Sequence, residues 1–133
     1  MIAAYMLDTD ICSYIIKRNP ASVAQAFWEH KNDEICVSSV TYAELIYGAM
    51  RSGSPRIHAA IKRLVARFNI VDFNEAAALE YARIRRSLEV KGTPVANADI
   101  MIASCAMIKK AVLVTNNVKH FGKIHDLKIE NWI

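Results

Sequence analysis

Short apolar runs of strand length alternate along this chain with longer segments whose apolar residues recur every three or four positions. That alternation constrains the fold more than any other feature, because it predicts parallel βαβ units with helices covering both faces of the sheet. Ile2 to Leu7 is a short apolar run ending in Asp8 and reads as a buried strand. Ile11 to Ile16 continues as a helix that stops before Pro20. Val23 to His30 reads as a second helix and Ile35 to Val37 as a second strand. Ser38 and Ser39 offer caps for a helix running to about Gly53. Ser54-Pro55 then opens another helix, with a capping side chain followed by proline in the first turn. Residues 39–68 are therefore expected to form a helical hairpin, with Leu45, Ile46 and Met50 free to pack against another chain.

The second part repeats the pattern. Ile70 to Asp72 is a short strand, and Asn74 caps a helix with the core stripe Ala77, Tyr81, Ile84 and Leu88. Gly92-Thr93-Pro94 breaks it. Asn97 is expected to cap a helix that is apolar nearly all round and hence buried. Ala111 to Thr115 reads as a buried strand and Leu127 to Ile129 as a last one. The 133 residues fit one domain, 1–133, with enough core to need no disulfides. The odd, widely spaced Cys12, Cys36 and Cys105 read as small buried residues in a reducing cytoplasm. No signal peptide is expected at Met1 to Asp8, which has no basic segment. The longest nearly apolar stretch, Ile100 to Ile108, is far below the roughly 18 residues of a membrane span.

In a parallel sheet, strand ends and the helix starts that follow them share one edge, and ligands bind there. Asp8 ends the first strand, Glu44 lies in the helix after the second, Asp99 lies in the first turn of the buried helix, and Asn117 follows the fourth strand. Three carboxylates brought together repel one another and resist ionising. A hard divalent cation, Mg²⁺ or Mn²⁺, relieves that repulsion, takes oxygen ligands and activates water against a phosphodiester. Asp8, Glu44 and Asp99 are thus candidate metal ligands, and Asn117 a fourth site residue that supplies an amide oxygen or holds a water.

Each also has a plainer role. Asp8 fits a helix cap, Glu44 a capping box with Thr41, Asp99 a helix-dipole partner and Asn117 a turn residue. Their joint placement favours a site, as does the cost of an unpaired charge at the head of an apolar helix. His120 and His125 match no metal signature and read as surface histidines, and Trp28 and Trp132 as packing residues. Residues 51–133 carry 14 basic and 7 acidic groups, against 3 and 6 in residues 1–50, which suggests an anionic partner. Arg83, Arg85 and Arg86 fit either a solvated helix face or an RNA contact.

Four segments together resemble the PIN-domain nucleases, and within them the VapC toxins of type II toxin–antitoxin pairs. They are Tyr5-Met6-Leu7-Asp8-Thr9-Asp10-Ile11; Ser38-Ser39-Val40-Thr41-Tyr42-Ala43-Glu44-Leu45 with Tyr47-Gly48; Gly92-Thr93-Pro94 with Asn97-Ala98-Asp99-Ile100-Met101-Ile102-Ala103; and Val114-Thr115-Asn116-Asn117 with Phe121. The family's first three acids fall on Asp8, Glu44 and Asp99. Its fourth acidic position is Asn117 here, as in a number of its members. Asp10, Ala98 and His120 also depart from the usual pattern. The resemblance implies a PIN-like three-layer α/β/α sandwich around a short, mainly parallel sheet. It implies Mg²⁺- or Mn²⁺-dependent hydrolysis of RNA to a 5′-phosphate and a 3′-hydroxyl. It also implies a cytoplasmic homodimer neutralised by a VapB-like antitoxin that covers the active-site groove. The subgroup it looks most like cuts initiator tRNA in the anticodon stem-loop.

Two alternatives differ in chemistry. Asp8-Thr9-Asp10 at a strand end also resembles the nucleophile motif of haloacid-dehalogenase-like phosphatases, but Thr115-Asn116-Asn117 lacks their later paired acids. A degenerate PIN domain would instead bind RNA or an antitoxin without cutting.

Overall fold

The computed structural model describes residues 3–133; Ile2, the first residue of the expected first strand, lies outside them. In chain order the elements are β1 (Ala4–Leu7), α1 (Thr9–Lys17), α2 (Ala21–Glu29), β2 (Glu34–Ser38), α3 (Ser39–Ser52), α4 (Pro55–Val65), β3 (Asn69–Val71), α5 (Glu75–Val90), α6 (Asn97–Lys109), β4 (Val112–Val114), α7 (Val118–Phe121) and β5 (Ile129–Glu130). The strands form one sheet in the order β3-β2-β1-β4-β5. Every neighbouring pair is parallel. The chain moves outward from β1 through β2 to β3, then returns to the other side of β1 for β4 and β5. This reversal puts a topological switch point between β1 and β4, where open α/β sheets leave a crevice at the strands' carboxyl ends.

Consecutive strand residues point to opposite faces, and that division builds two cores. Met6, Cys36 and Leu113 join Ala77, Ile84, Leu88, Ile100, Ala103 and Phe121 under α5, α6 and α7. Leu7, Val37 and Val114 join Ile11, Val23, Leu45, Ile61, Leu64 and Trp132 under α1 to α4. The result is an α/β/α sandwich. Among the described residues no helix is long and apolar enough to cross a membrane. Cys12, Cys36 and Cys105 are all buried and free.

The caps read from the sequence mostly form. Asp8, Ser38, Ser54 and Asn74 each accept a hydrogen bond from the backbone N–H three residues on. Gly53, at φ 64°, ends α3 in the left-handed conformation that only glycine adopts without strain. Asn97 does not cap α6. Ala96 holds that place without a side-chain bond, and Asn97 is the first helical residue. The expected strand at Leu127 to Ile129 is shifted to Ile129–Glu130, because those two residues pair with Leu113 and Val114.

The hairpin of residues 39–68 is present as α3 and α4. Leu45, expected to face another chain, is 3% exposed in the inner core instead. A leucine buried that fully contributes roughly 2 kcal/mol, enough to commit this face of α3 to its own fold. Met50 and Tyr47 remain exposed on the hairpin.

Candidate active site

The site grows from the carboxyl end of β1. Asp8 leaves the strand with extended backbone and starts α1. Its Oδ1 accepts from the Ile11 N–H at 2.9 Å, so it is a helix cap. Its Oδ2 accepts from the Thr115 hydroxyl at 2.6 Å, across the switch point from the end of β4. Thr115 Oγ1 in turn accepts from the Asn117 backbone N–H at 2.9 Å. The Asp8 residue is only 5% exposed, and burial, with a smaller part from the charges of Asp10 and Asp99, raises its pKa to about 6. The Thr115 and Ile11 donors oppose that rise.

Asp99 stands in the first turn of α6, half-buried. Burial, then the charge of Glu44, raises its pKa, while His120 draws it down. Glu44 is exposed on α3 and accepts from the Thr9 hydroxyl. Its capping-box role fails because Ser38, not Thr41, caps α3: the Thr41 N–H donates to Ser38 Oγ at 3.0 Å. Ser39 Oγ takes the Phe73 N–H at 3.0 Å and ties the start of α3 to the chain after β3. Asn117 sits at the N-cap position of α7, yet its side chain makes no cap bond. Its Nδ2 lies 3.0 Å from His120 Nδ1.

The structure therefore brings Asp8, Asp99 and Glu44 near enough that the charge of Asp99 acts on Asp8 and that of Glu44 on Asp99, with Asn117 tied to Asp8 through Thr115. Among the described residues no group of three acids, histidines or cysteines is already drawn to ligating distance. Like charges hold carboxylates apart, and a divalent cation among them reverses the sign of that interaction. The donor set fits such a cation: it is all oxygen, and burial first and neighbouring acids second raise the proton affinity of Asp8 and Asp99. Each Asp8 oxygen keeps a second acceptor site beyond the bond it already receives.

With that geometry in place, the family assignment follows from comparison with known proteins. The sequence model of the PIN domain family matches residues 5–126. The chain belongs to the PIN-domain family. A protein named tRNA(fMet)-specific endonuclease VapC, from Shigella flexneri, is 42% identical over 129 residues, covering 96% of this chain and 97% of the relative. Ribonuclease VapC2 of Rickettsia felis is 39% identical over 130 residues, covering 96% of this chain and 97% of its own. A crystal structure of DNA-bound VapBC from Salmonella typhimurium superposes with a TM-score of 0.91 at 38% identity, covering 100% of both chains. Within the PIN-domain family, then, the chain falls in the VapC branch.

Membership in this family removes the phosphatase alternative, and the structure gives the physical reason. The segment after β4, Thr115-Asn116-Asn117, brings no carboxylate beside Asp8; Thr115 donates its hydroxyl to Oδ2 where that chemistry needs paired acids. Three further residues shape the site without having been singled out for it. Thr115 supports Asp8, Thr9 holds Glu44, and His120 holds Asn117. Thr115 left a signal in the sequence, as a polar residue closing an otherwise apolar strand; Thr9 left none apart from its neighbour. His120 is a surface residue as expected, but at the site rather than away from it.

Other expectations fare differently. Trp132 is buried and stacks on His30, whereas Trp28 is 66% exposed with Lys31 Nζ 4.3 Å from its ring centre. Arg83 pairs with Glu80, and Arg85 and Arg86 pair with Glu89 at 3.5 and 3.6 Å. The three arginines share two glutamates, so the face keeps one net positive charge.

Proposed function

We propose that this chain is a VapC-type endoribonuclease toxin, one nuclease domain acting in the cytoplasm. Asp8, Glu44 and Asp99 are its metal ligands and Asn117 the fourth site residue. One observation supports this: acids at the end of β1, on α3 and on α6 lie close enough at the switch-point edge that Asp99 acts on Asp8 and Glu44 on Asp99, beside the burial that raises both aspartate pKa values. When bound there, Mg²⁺ or Mn²⁺ supplies Lewis-acid stabilisation for an RNA phosphodiester and lowers the pKa of water. The chain's own residues do the positioning. Thr115 and the Ile11 N–H fix the Asp8 carboxylate, and Thr9 fixes Glu44. Water adds to phosphorus and the bond to the 3′ oxygen breaks, leaving a 5′-phosphate and a 3′-hydroxyl.

The substrate class is RNA. The relative named for tRNA(fMet) cleavage aligns over 96% of this chain, which supports initiator tRNA, cut in the anticodon stem-loop, as the substrate. The VapBC neighbours, aligned over the whole chain, support a VapB-like antitoxin as partner. A homodimer fits the exposed Tyr47 and Met50 on the α3–α4 hairpin. The test is incubation of contaminant-free protein with total tRNA in Mg²⁺ and in EDTA, with the new ends analysed. Cleavage in Mg²⁺ alone, leaving 5′-phosphate ends, is expected. Undiminished cleavage in EDTA overturns the metal assignment, and RNA binding without cleavage in either metal identifies a degenerate copy.

A further inference from the structure

We propose that His120 is a positioning residue that fixes the side-chain amide of Asn117, so that its carbonyl oxygen and not its NH₂ is the group left free beside the acids. The inference rests on the metal-nuclease reading above and deepens it. A side-chain amide offers two donors on one end and an acceptor on the other, and its two ends are nearly equal in shape. Left to itself beside three carboxylates, it turns its NH₂ toward them. That end opposes a cation. Asn117 Nδ2 lies 3.0 Å from His120 Nδ1, so the NH₂ is taken whenever that ring nitrogen carries no proton and accepts.

Two further observations favour a site role over a local turn role. Asn117 occupies the N-cap position of α7, where asparagine ordinarily binds a backbone N–H, yet it makes no such bond. Its backbone N–H is committed to Thr115 Oγ1, which donates to Asp8. The Asn117 backbone is thereby tied to the metal-site carboxylate, while among the described residues His120 alone holds the end of its side chain. His120 itself is carried by α7, whose Phe121 is 1% exposed in the core and anchors the short helix.

Isosteric variants separate this role from others. The amide of asparagine places its polar atoms near the position of histidine Nδ1, and that of glutamine near Nε2. His120→Ala should lower the rate of tRNA cleavage about threefold to tenfold, the effect of one side-chain hydrogen bond. It should weaken Mn²⁺ binding, followed by calorimetry, in the same direction. His120→Asn should restore both and His120→Gln neither. In Asn117→Asp the two carboxylate oxygens are equivalent and need no orienting, so adding His120→Ala to it should cost much less than in the wild-type background, leaving only the ring's effect on Asp99.

One readout is independent of activity. In ¹⁵N-resolved NMR spectra of the metal-free protein, the Asn117 side-chain amide should have one proton shifted downfield, and that shift should vanish in His120→Ala. Rescue by Gln and not Asn, an undiminished His120→Ala cost in the Asn117→Asp background, or unchanged Asn117 amide resonances would each overturn the inference while leaving the nuclease reading intact. Wild-type protein that fails to cleave RNA with either metal overturns the nuclease reading, and unaltered amide resonances then overturn this one separately.

Discussion

Replacing Asp8 by asparagine is expected to stabilise the metal-free protein at neutral pH while abolishing its metal site. Burial raises the Asp8 pKa from 3.8 to about 6. At 1.36 kcal/mol per unit, the ionised group therefore costs the folded state about 3 kcal/mol above pH 6. The sign follows from proton binding. Between pH 4 and 6 the folded state holds a proton that the unfolded state has lost, so this group's contribution favours folding at low pH and is lost as pH rises through 6. Asn at position 8 removes that charge and keeps an oxygen for the Ile11 N–H. It also presents NH₂ to Thr115 Oγ1, which already accepts from Asn117, so the Thr115 proton loses its acceptor. That loss offsets about 1 kcal/mol, leaving a net gain of about 2 kcal/mol. The assay is urea unfolding in EDTA at pH 4 and pH 7.5. Asp8→Asn should be the less stable protein at pH 4 and the more stable one at pH 7.5. Mg²⁺ at 100 times its Kd should add about 2.7 kcal/mol to wild type alone and erase the advantage. A stability difference that does not change with pH would refute the assignment of Asp8 as a buried, charge-strained carboxylate.

Three other perturbations follow from the same geometry. Asp99→Asn should keep its circular dichroism spectrum and lose at least about a hundredfold in cleavage rate, whereas Asp10→Asn, on the exposed first turn of α1, should keep most of it; the reverse pattern would move the site. Thr115→Val removes the donor to Asp8, so the Asp8 pKa should rise further and Mn²⁺ affinity, measured by calorimetry, should fall about 10- to 100-fold. Leu45→Ala should cost about 2–5 kcal/mol in urea unfolding because Leu45 packs inside its own chain, while Met50→Ala should leave monomer stability within about 0.5 kcal/mol.

Much of the fold is legible in the residues themselves. Ser54-Pro55 and Asn74 mark the helix starts where α4 and α5 begin, because capping is a local interaction that a few neighbouring residues decide. Asn97 misleads by one position. The chain after Gly92-Thr93-Pro94 turns helical one residue earlier, with Ala96 at the cap position and Asn97 already in the first turn. Leu45 could not be assigned from periodicity, since an apolar residue on an amphipathic helix carries no label saying which neighbour covers it. The acids are legible because strand ends in a parallel sheet share an edge. The roles of Thr9 and Thr115 are not, because each depends on a pairing between distant residues, 35 and 107 positions apart; His120 pairs only three residues away, with a side chain whose own place at the site the fold decides. Arg85 and Arg86 show the limit of charge counting: both pair with the single carboxylate of Glu89, so part of the run's charge is already answered on its own helix.

The central claim is that Asp8, Glu44 and Asp99 share one divalent cation. The most direct measurement is a crystal grown with Mn²⁺, its anomalous difference map calculated at the manganese edge, beside an Asp99→Asn crystal treated identically. A peak is expected at the β1–β4 switch point within about 2.5 Å of carboxylate oxygens of Asp8 and Asp99, the range of hard-cation ligation, with Glu44 joining directly or through water. No such peak is expected in the variant. A peak elsewhere, or none in wild-type crystals of a protein that cleaves RNA, would contradict the shared site.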